Sequence, residues 1–223
     1  MGGYVTATAV SYIHAGGSVG VLVSFDTNAA DNAEFVAMGK NVAMQVAAMN
    51  PEYLSKEDIS DDELAKMKSI TIDSSLNKPE SLPKPILRKL FEKAVSEKLF
   101  SDEDIAAYEE QKNNNFLFNF LSKEAVATLA NLAVAGKEEF VNDKIFAGAV
   151  DGRIKKQLKE ICLLDQTFVR SDLFDGTVAG YVADVAKKLG AEIKVTGFVR
   201  LAKGEGIEKK EDNFAAEVAS MVK

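Results

Sequence analysis

Only one histidine and one cysteine occur in this chain, so chemistry that depends on such groups has to be built around His14 or Cys162. His14 stands in Tyr12-Ile-His-Ala-Gly-Gly-Ser-Val-Gly-Val-Leu-Val-Ser24, just ahead of the pair Gly16-Gly17. A lone histidine without triad partners does not make a nucleophilic site. One histidine and one cysteine far apart in the chain also give no metal-ligand spacing. Cys162 lies in Glu-Ile-Cys-Leu-Leu, cannot form an internal disulfide, and reads as a buried inert thiol rather than a nucleophile. The glycines raise another chemistry, a phosphate cradle. Such a site places its glycines after a strand and at the start of a helix whose N-terminus faces the phosphate. Here Gly16-Gly17-x-x-Gly20 leads into a strand. Carboxylate pairs such as Asp61/Asp62 and Glu109/Glu110 are adjacent and point in different directions on a helix, so they read as solvated faces or helix N-terminal charges. Taken alone, His14 reads as a polar residue that ends a strand and satisfies a turn.

The composition, 47% hydrophobic and 27% charged over 223 residues, is that of a soluble globular protein of one or two domains. A net charge of −7 argues against a general nucleic-acid binder, whose affinity rests on Lys and Arg neutralising phosphates. No apolar run approaches the roughly 20 residues of a membrane span, and no basic segment followed by an apolar one opens the chain. A cytoplasmic protein with no membrane partner is expected. Met1-Gly2-Gly3 followed at once by strand-like sequence suggests a chain that starts inside a larger architecture.

The elements that must position His14 begin with a β-hairpin. Residues 4–13 and 19–25 are rich in β-branched and aromatic side chains, and Gly16-Gly17 supplies the positive φ values of a tight turn. Over 31–49, Phe35, Val36, Met38, Val42, Ala43, Val46, Ala47 and Met49 recur with helical period, and Asn50-Pro51 ends the run. Ser55 with Asp58 and Ser60 with Glu63 have the spacing of capping boxes, with a short helix through about Lys68. Residues 70–84 combine β-branched residues with two prolines and are expected to form a loop. Helices follow from about Pro85, over 101–112, and over 116–135 with Gly136 as C-cap.

One long helix is expected over 137–164, with Arg153, Lys155, Lys156 and Lys159 on a solvated or partner-facing side. A helix over 178–189 closed by Gly190, a third strand over 192–201 and a last helix over 211–222 complete the chain. The expected fold is α+β: a three-stranded antiparallel sheet covered on one face by the 31–49 and 178–189 helices. Its discontinuous core subdomain comprises 4–59 and 137–208. A large all-helical insertion occupies 60–136, and a C-terminal helical module occupies 209–223.

Four stretches carry a family resemblance. They are His14-Ala-Gly-Gly-Ser-Val-Gly-Val-Leu-Val23, Val42-Ala-Met-Gln-Val-Ala-Ala-Met-Asn-Pro-Glu-Tyr-Leu54, Glu160-Ile-Cys-Leu-Leu-Asp-Gln-Thr-Phe-Val169 and Gly204-Glu-Gly-Ile-Glu-Lys-Lys-Glu-Asp-Asn-Phe-Ala-Ala-Glu-Val218. In this order they resemble bacterial translation elongation factor Ts. Gly152-Arg-Ile-Lys-Lys156 and the run from Thr177 to Glu192 extend the resemblance over about 4–58 and 136–222. It implies a guanine-nucleotide exchange factor for the GTPase elongation factor Tu, in its GDP-bound or nucleotide-free form, acting with no cofactor and no chemistry of its own. The family's matching histidine assigns His14 to the contact with the GTPase domain, and Gly16 and Gly17 in the turn beside it are expected to be partner-binding residues with it. The C-terminal module, with Phe214, Val218 and Met221 on one side, packs in the family against a helix of the GTPase domain; Phe214 suits a core position equally well. The family's sheet subdomain touches the last β-domain of the partner, and its helical insertion falls within 60–145.

Departures from the family pattern shape the expectation as much as the matches do. Family members begin with a small helical domain like the ubiquitin-associated fold. A first core subdomain follows, in which a Thr-Asp-Phe-Val motif pushes into the GTPase near its magnesium and nucleotide. No Thr-Asp-Phe occurs in this chain, its insertion is longer than the family's, and Thr167 stands where proline is common. The resemblance therefore implies a carboxyl portion of the factor that binds elongation factor Tu weakly and is deficient in exchange. The rival expectations are a homodimerisation or interaction module built on the helical insertion, and a small-molecule enzyme resting on the Gly-rich turn alone.

Overall fold

The computed structural model describes residues 3–205. The chain runs β1 (Thr6–His14), β2 (Val19–Thr27), α1 (Ala33–Met49), α2 (Asp61–Asn77), α3 (Lys84–Ser96), α4 (Asp102–Gln111), α5 (Lys123–Ala135), α6 (Lys137–Val141), α7 (Lys144–Ile161), α8 (Val178–Leu189) and β3 (Ile193–Ala202). Two compact units result. The first takes in the chain up to Lys56 and from Glu160 onward, and the second is Glu57–Lys159.

In the first unit the three strands form an antiparallel sheet in the order β1-β2-β3, so the expected α+β architecture is observed. Side chains alternate across a strand. That alternation turns Val10 of β1, Val21, Val23 and Phe25 of β2 and Val195 of β3 into one buried face. On that face lies α1. Asn32 caps it, its Oδ1 accepting from the amides of Glu34 (2.8 Å) and Phe35 (3.3 Å), and Asn50 ends it in the left-handed conformation. Phe35, Met38, Val42, Ala43 and Val46 are the buried stripe. Gly39 sits where the helix crosses β1, and a Cβ there would lie 2.6 Å from Val10 Cγ2; any larger residue would push helix and strand apart. Joining the same core, α8 adds Val178, Tyr181 and Val182, starts at the Thr177 cap and stops at Gly190, with φ of 58°.

The second unit has its own core, in which Leu76, Ile86, Leu90, Phe91, Ala94, Leu129, Ala133, Phe146 and Val150 are buried. Three expectations are corrected here. The loop expected over 70–84 is helical through Asn77. Thr71 and Ser75 are buried rather than solvated, and α7 satisfies them: Gln157 donates to Thr71 Oγ1 at 3.2 Å and Arg153 donates to Ser75 Oγ and to the Ser81 carbonyl. Arg153 is therefore half-buried against α2 and the turn after it, while Lys155, Lys156 and Lys159 are exposed. The helix expected from residue 116 starts at Lys123, after a short 3-10 turn over Leu117–Phe120. The single helix expected over 137–164 is divided at Asn142-Asp143, because Asp143 Oδ1 accepts from the amides of Ile145 (2.8 Å) and Phe146 (3.3 Å) and so caps a new helix. The helix expected over 211–222 lies outside the described residues.

Candidate partner-binding site

The hairpin turn is made by three successive residues with positive φ: Ala15 at 50°, Gly16 at 65° and Gly17 at 91°. No atom lies within 4 Å of a Cβ built on Gly16 or Gly17, so backbone conformation, not space, requires glycine there. The turn closes where the Ser18 amide donates to the Ala15 carbonyl at 3.3 Å, and β3 is tied in where Lys203 N–H donates to Ser18 O at 2.8 Å. Gly17→Ala is expected to lower the unfolding free energy by about 1–3 kcal/mol, the cost of a non-glycine residue in such a conformation, read as a shift in urea midpoint with unchanged slope.

His14 is the last residue of β1, paired with Val19, and it is exposed, as are Gly16 and Gly17. It shares the inward-facing side with Val10 and Tyr12 but lies at the end of the strand. Tyr12 packs against the core, and its hydroxyl lies 3.0 Å from His14 Nδ1. On the same face, Val21 separates Tyr12 from Arg200 of β3; the Arg200 Nη1 meets Glu205 at 3.2 Å. The structure thus brings His14, Gly16 and Gly17 together at one corner of the sheet. Phe214, Val218 and Met221 lie outside the described residues.

In the same unit, buried side-chain amides fasten the end of α1 to the segment that follows α7. Gln45 Nε2 donates to Gln166 Oε1 (3.1 Å) and to the Thr167 carbonyl (3.1 Å), its Oε1 accepts from Val169 N–H (2.8 Å), and Gln166 Nε2 donates to the Glu160 carbonyl (2.7 Å). Backbone bonds run alongside, from Glu52 N–H to Ile161 O (2.8 Å) and from Leu163 N–H to Tyr53 O (2.8 Å). Two of the stretches that carry the family resemblance, 42–54 and 160–169, are therefore one physical joint. Cys162 is buried within it, and among the described residues no three metal-ligating side chains cluster.

Across residues 3–205 the sequence matches the family described as Elongation factor TS. The chain belongs to that family. It is 36% identical over 212 residues to elongation factor Ts of Clostridioides difficile (strain 630), covering 95% of this chain and 49% of that protein. It is also 31% identical to elongation factor Ts of Desulforamulus reducens over 216 residues, 96% of this chain and 70% of that protein. For Syntrophotalea carbinolica the figures are 31% over 212 residues, 95% and 49%. The chain thus spans about half the length of two of these relatives. No helix among the described residues is long and apolar enough to cross a membrane.

In this elongation factor Ts family member the outer face of the sheet is a feature that the sequence reading missed. Ser11, Leu22 and Val199 form one row across the three strands, and Ile13, Gly20 and Leu201 form the next. Ile13 is 72% exposed, Leu22 45%, Val199 52% and Leu201 70%. The signal was available: the period-2 alternation that buries Val10, Val21 and Val23 leaves Ile13 and Leu22 on the opposite side, where polar residues are the rule. Contiguous exposed apolar surface of this kind marks interaction faces.

Proposed function

We propose that this chain binds elongation factor Tu and promotes GDP release by differential binding alone, with His14 at the contact. Such a factor favours the nucleotide-free GTPase over the GDP-bound form, and by reciprocity its binding must weaken GDP by the same factor. A thousandfold effect corresponds to about 4 kcal/mol of differential contact. The observation that carries the reading is the placement of His14, exposed at the end of β1 beside a turn fixed by Gly16 and Gly17, in a chain of the elongation factor Ts family. The Gly-rich turn joins two antiparallel strands instead of opening a helix, which favours a protein partner over a bound phosphate. The apolar outer face of the sheet supports a protein partner too.

Because the chain has no Thr-Asp-Phe, its exchange activity is expected to fall below that of a factor that carries the wedge. The test is release of mant-GDP from elongation factor Tu with and without the chain, alongside capture of the nucleotide-free GTPase. Release faster than the intrinsic rate, reduced by about tenfold in chain affinity on His14→Ala (about 1.4 kcal/mol), is the expected result. No acceleration at saturating chain, together with no capture, refutes the reading; stimulation equal to that of a wedge-bearing factor refutes the predicted deficiency.

A further inference from the structure

We infer that Tyr12 is a positioning residue for His14: its hydroxyl donates to Nδ1, fixes the neutral ring as the Nε2–H tautomer, and directs that N–H outward to an oxygen acceptor on the partner. The inference rests on the partner contact proposed for His14. Its geometric basis is local. The two residues are two apart on one strand, hence on the same face of the sheet. The Tyr12 oxygen and His14 Nδ1 are 3.0 Å apart, with ring centroids 5.8 Å apart and planes tilted by 36°. Tyr12 is half-buried and packs against the core cluster to which Val10 and Val21 belong, whereas His14 is exposed. An exposed ring is thus held by one packed on the core.

Chemistry then decides which way the bond runs. In neutral imidazole one nitrogen donates and the other accepts, and the bond made by one sets the state of the other. A phenol is a strong O–H donor and a poor acceptor, while an unprotonated imidazole nitrogen is a good acceptor. The favoured arrangement is therefore O–H to Nδ1, with the proton on Nε2. Flipping the ring would put a carbon where Nδ1 stands and lose the bond. Once the ring is protonated, Nδ1–H donates back to the Tyr12 oxygen and Nε2–H is unchanged. In both states the outward atom is a donor, so the complementary group is a carbonyl or carboxylate oxygen rather than a cation or an amide N–H.

The experiment exploits the fact that His14 is the sole histidine, so 15N-histidine labelling puts one imidazole ring in the spectrum of the full chain. Where the ring is neutral, Nδ1 is expected to be pyridine-like and Nε2 pyrrole-like, and Tyr12→Phe, which keeps the packed ring, is expected to shift both nitrogens toward the average of two tautomers. Binding to nucleotide-free elongation factor Tu is then measured as a double-mutant cycle. His14→Ala is expected to weaken binding about tenfold and Tyr12→Phe about threefold, within the range for single hydrogen bonds. The double variant should be no weaker than His14→Ala alone. Unchanged ring nitrogens in Tyr12→Phe, or losses that multiply in the double variant, overturn the inference. If His14→Ala binds as tightly as the parent while the tautomer still shifts in Tyr12→Phe, the partner contact fails and the hold of Tyr12 on the ring stands.

Discussion

A Phe25→Ala chain is expected to lose about 3–5 kcal/mol of unfolding free energy in its first unit, most of the margin of a domain whose total is about 5–15 kcal/mol. Phe25 lies on the central strand, between Thr8 of β1 and Val195 of β3, and is fully buried. Its ring meets Phe35 of α1 edge-on, with centroids 5.2 Å apart and planes at 81°, a geometry that adds to the area buried. The β2/β3 register shifts between Ser24 and Phe25, and both neighbouring strands hold β2 by hydrogen bonds, so the backbone has little freedom to collapse into the cavity. That places the cost at the upper part of the range for large-to-small changes. Urea unfolding should show a lower midpoint with an unchanged slope, and hydrogen exchange should quicken over 6–27 and 33–49. Phe25→Leu, which keeps most of the volume, should lose no more than about 1.5 kcal/mol. A loss below about 1 kcal/mol for Phe25→Ala would mean that the ring is not packed as described. Under the proposed contact through His14, capture of elongation factor Tu should fall in step with the population of the folded unit.

The hairpin, α1, α8 and β3 were legible in the sequence because each buries one face on a single core, and local period and burial then carry the same information. Gly190 and Asn50, at the ends of the two covering helices, are punctuation that needs no tertiary partner to act. The second unit was harder to read, and the reasons are specific. Thr71 and Ser75 look like loop residues until Gln157 and Arg153, about 80 positions later, are placed against them. A break at Asp143 is invisible to periodicity, since the apolar residues on both sides keep a helical spacing; only the side-chain oxygen on two amides creates it. At the site, His14 and the glycine turn were readable from residue type. The apolar outer face needed the register of β3, since Val199 and Leu201 meet Leu22 and Gly20 only through pairing across 170 or more residues of intervening sequence.

In the second unit, Asp104→Asn is expected to cost about 2 kcal/mol at neutral pH, and the cost should shrink on acidification. Asp104 is buried and joins the caps of two helices. Its Oδ2 accepts from the hydroxyls of Ser101 (2.9 Å) and Ser122 (2.6 Å), and its Oδ1 accepts from Ser122 N–H (2.9 Å). Ser101 in turn accepts from Asp104 N–H (3.2 Å) at the start of α4, and Ser122 accepts from Ala125 N–H (3.1 Å) at the start of α5. Each hydroxyl gives its proton to the carboxylate and its lone pair to a helix amide, so one charge orders both caps. An asparagine amide would present N–H groups to hydroxyls that already accept, and a hydrogen bond to a charged group is worth about 1.5–3 kcal/mol. Burial raises the Asp104 pKa, but the bonds from the Ser122 hydroxyl, the Ser122 amide and the Ser101 hydroxyl together carry it below the ordinary value. The unfolded chain therefore takes up this proton first as pH falls. The stabilisation is complete above the unfolded carboxylate value of about 4 and is lost as pH falls through the lower folded value. Urea unfolding of parent and variant, with hydrogen exchange over 102–135 to assign the transition, should give a constant gap from pH 7 to about pH 5 that narrows below about pH 4. A gap that persists undiminished at the lowest pH where the unit folds would show that the negative charge does not hold the two caps together.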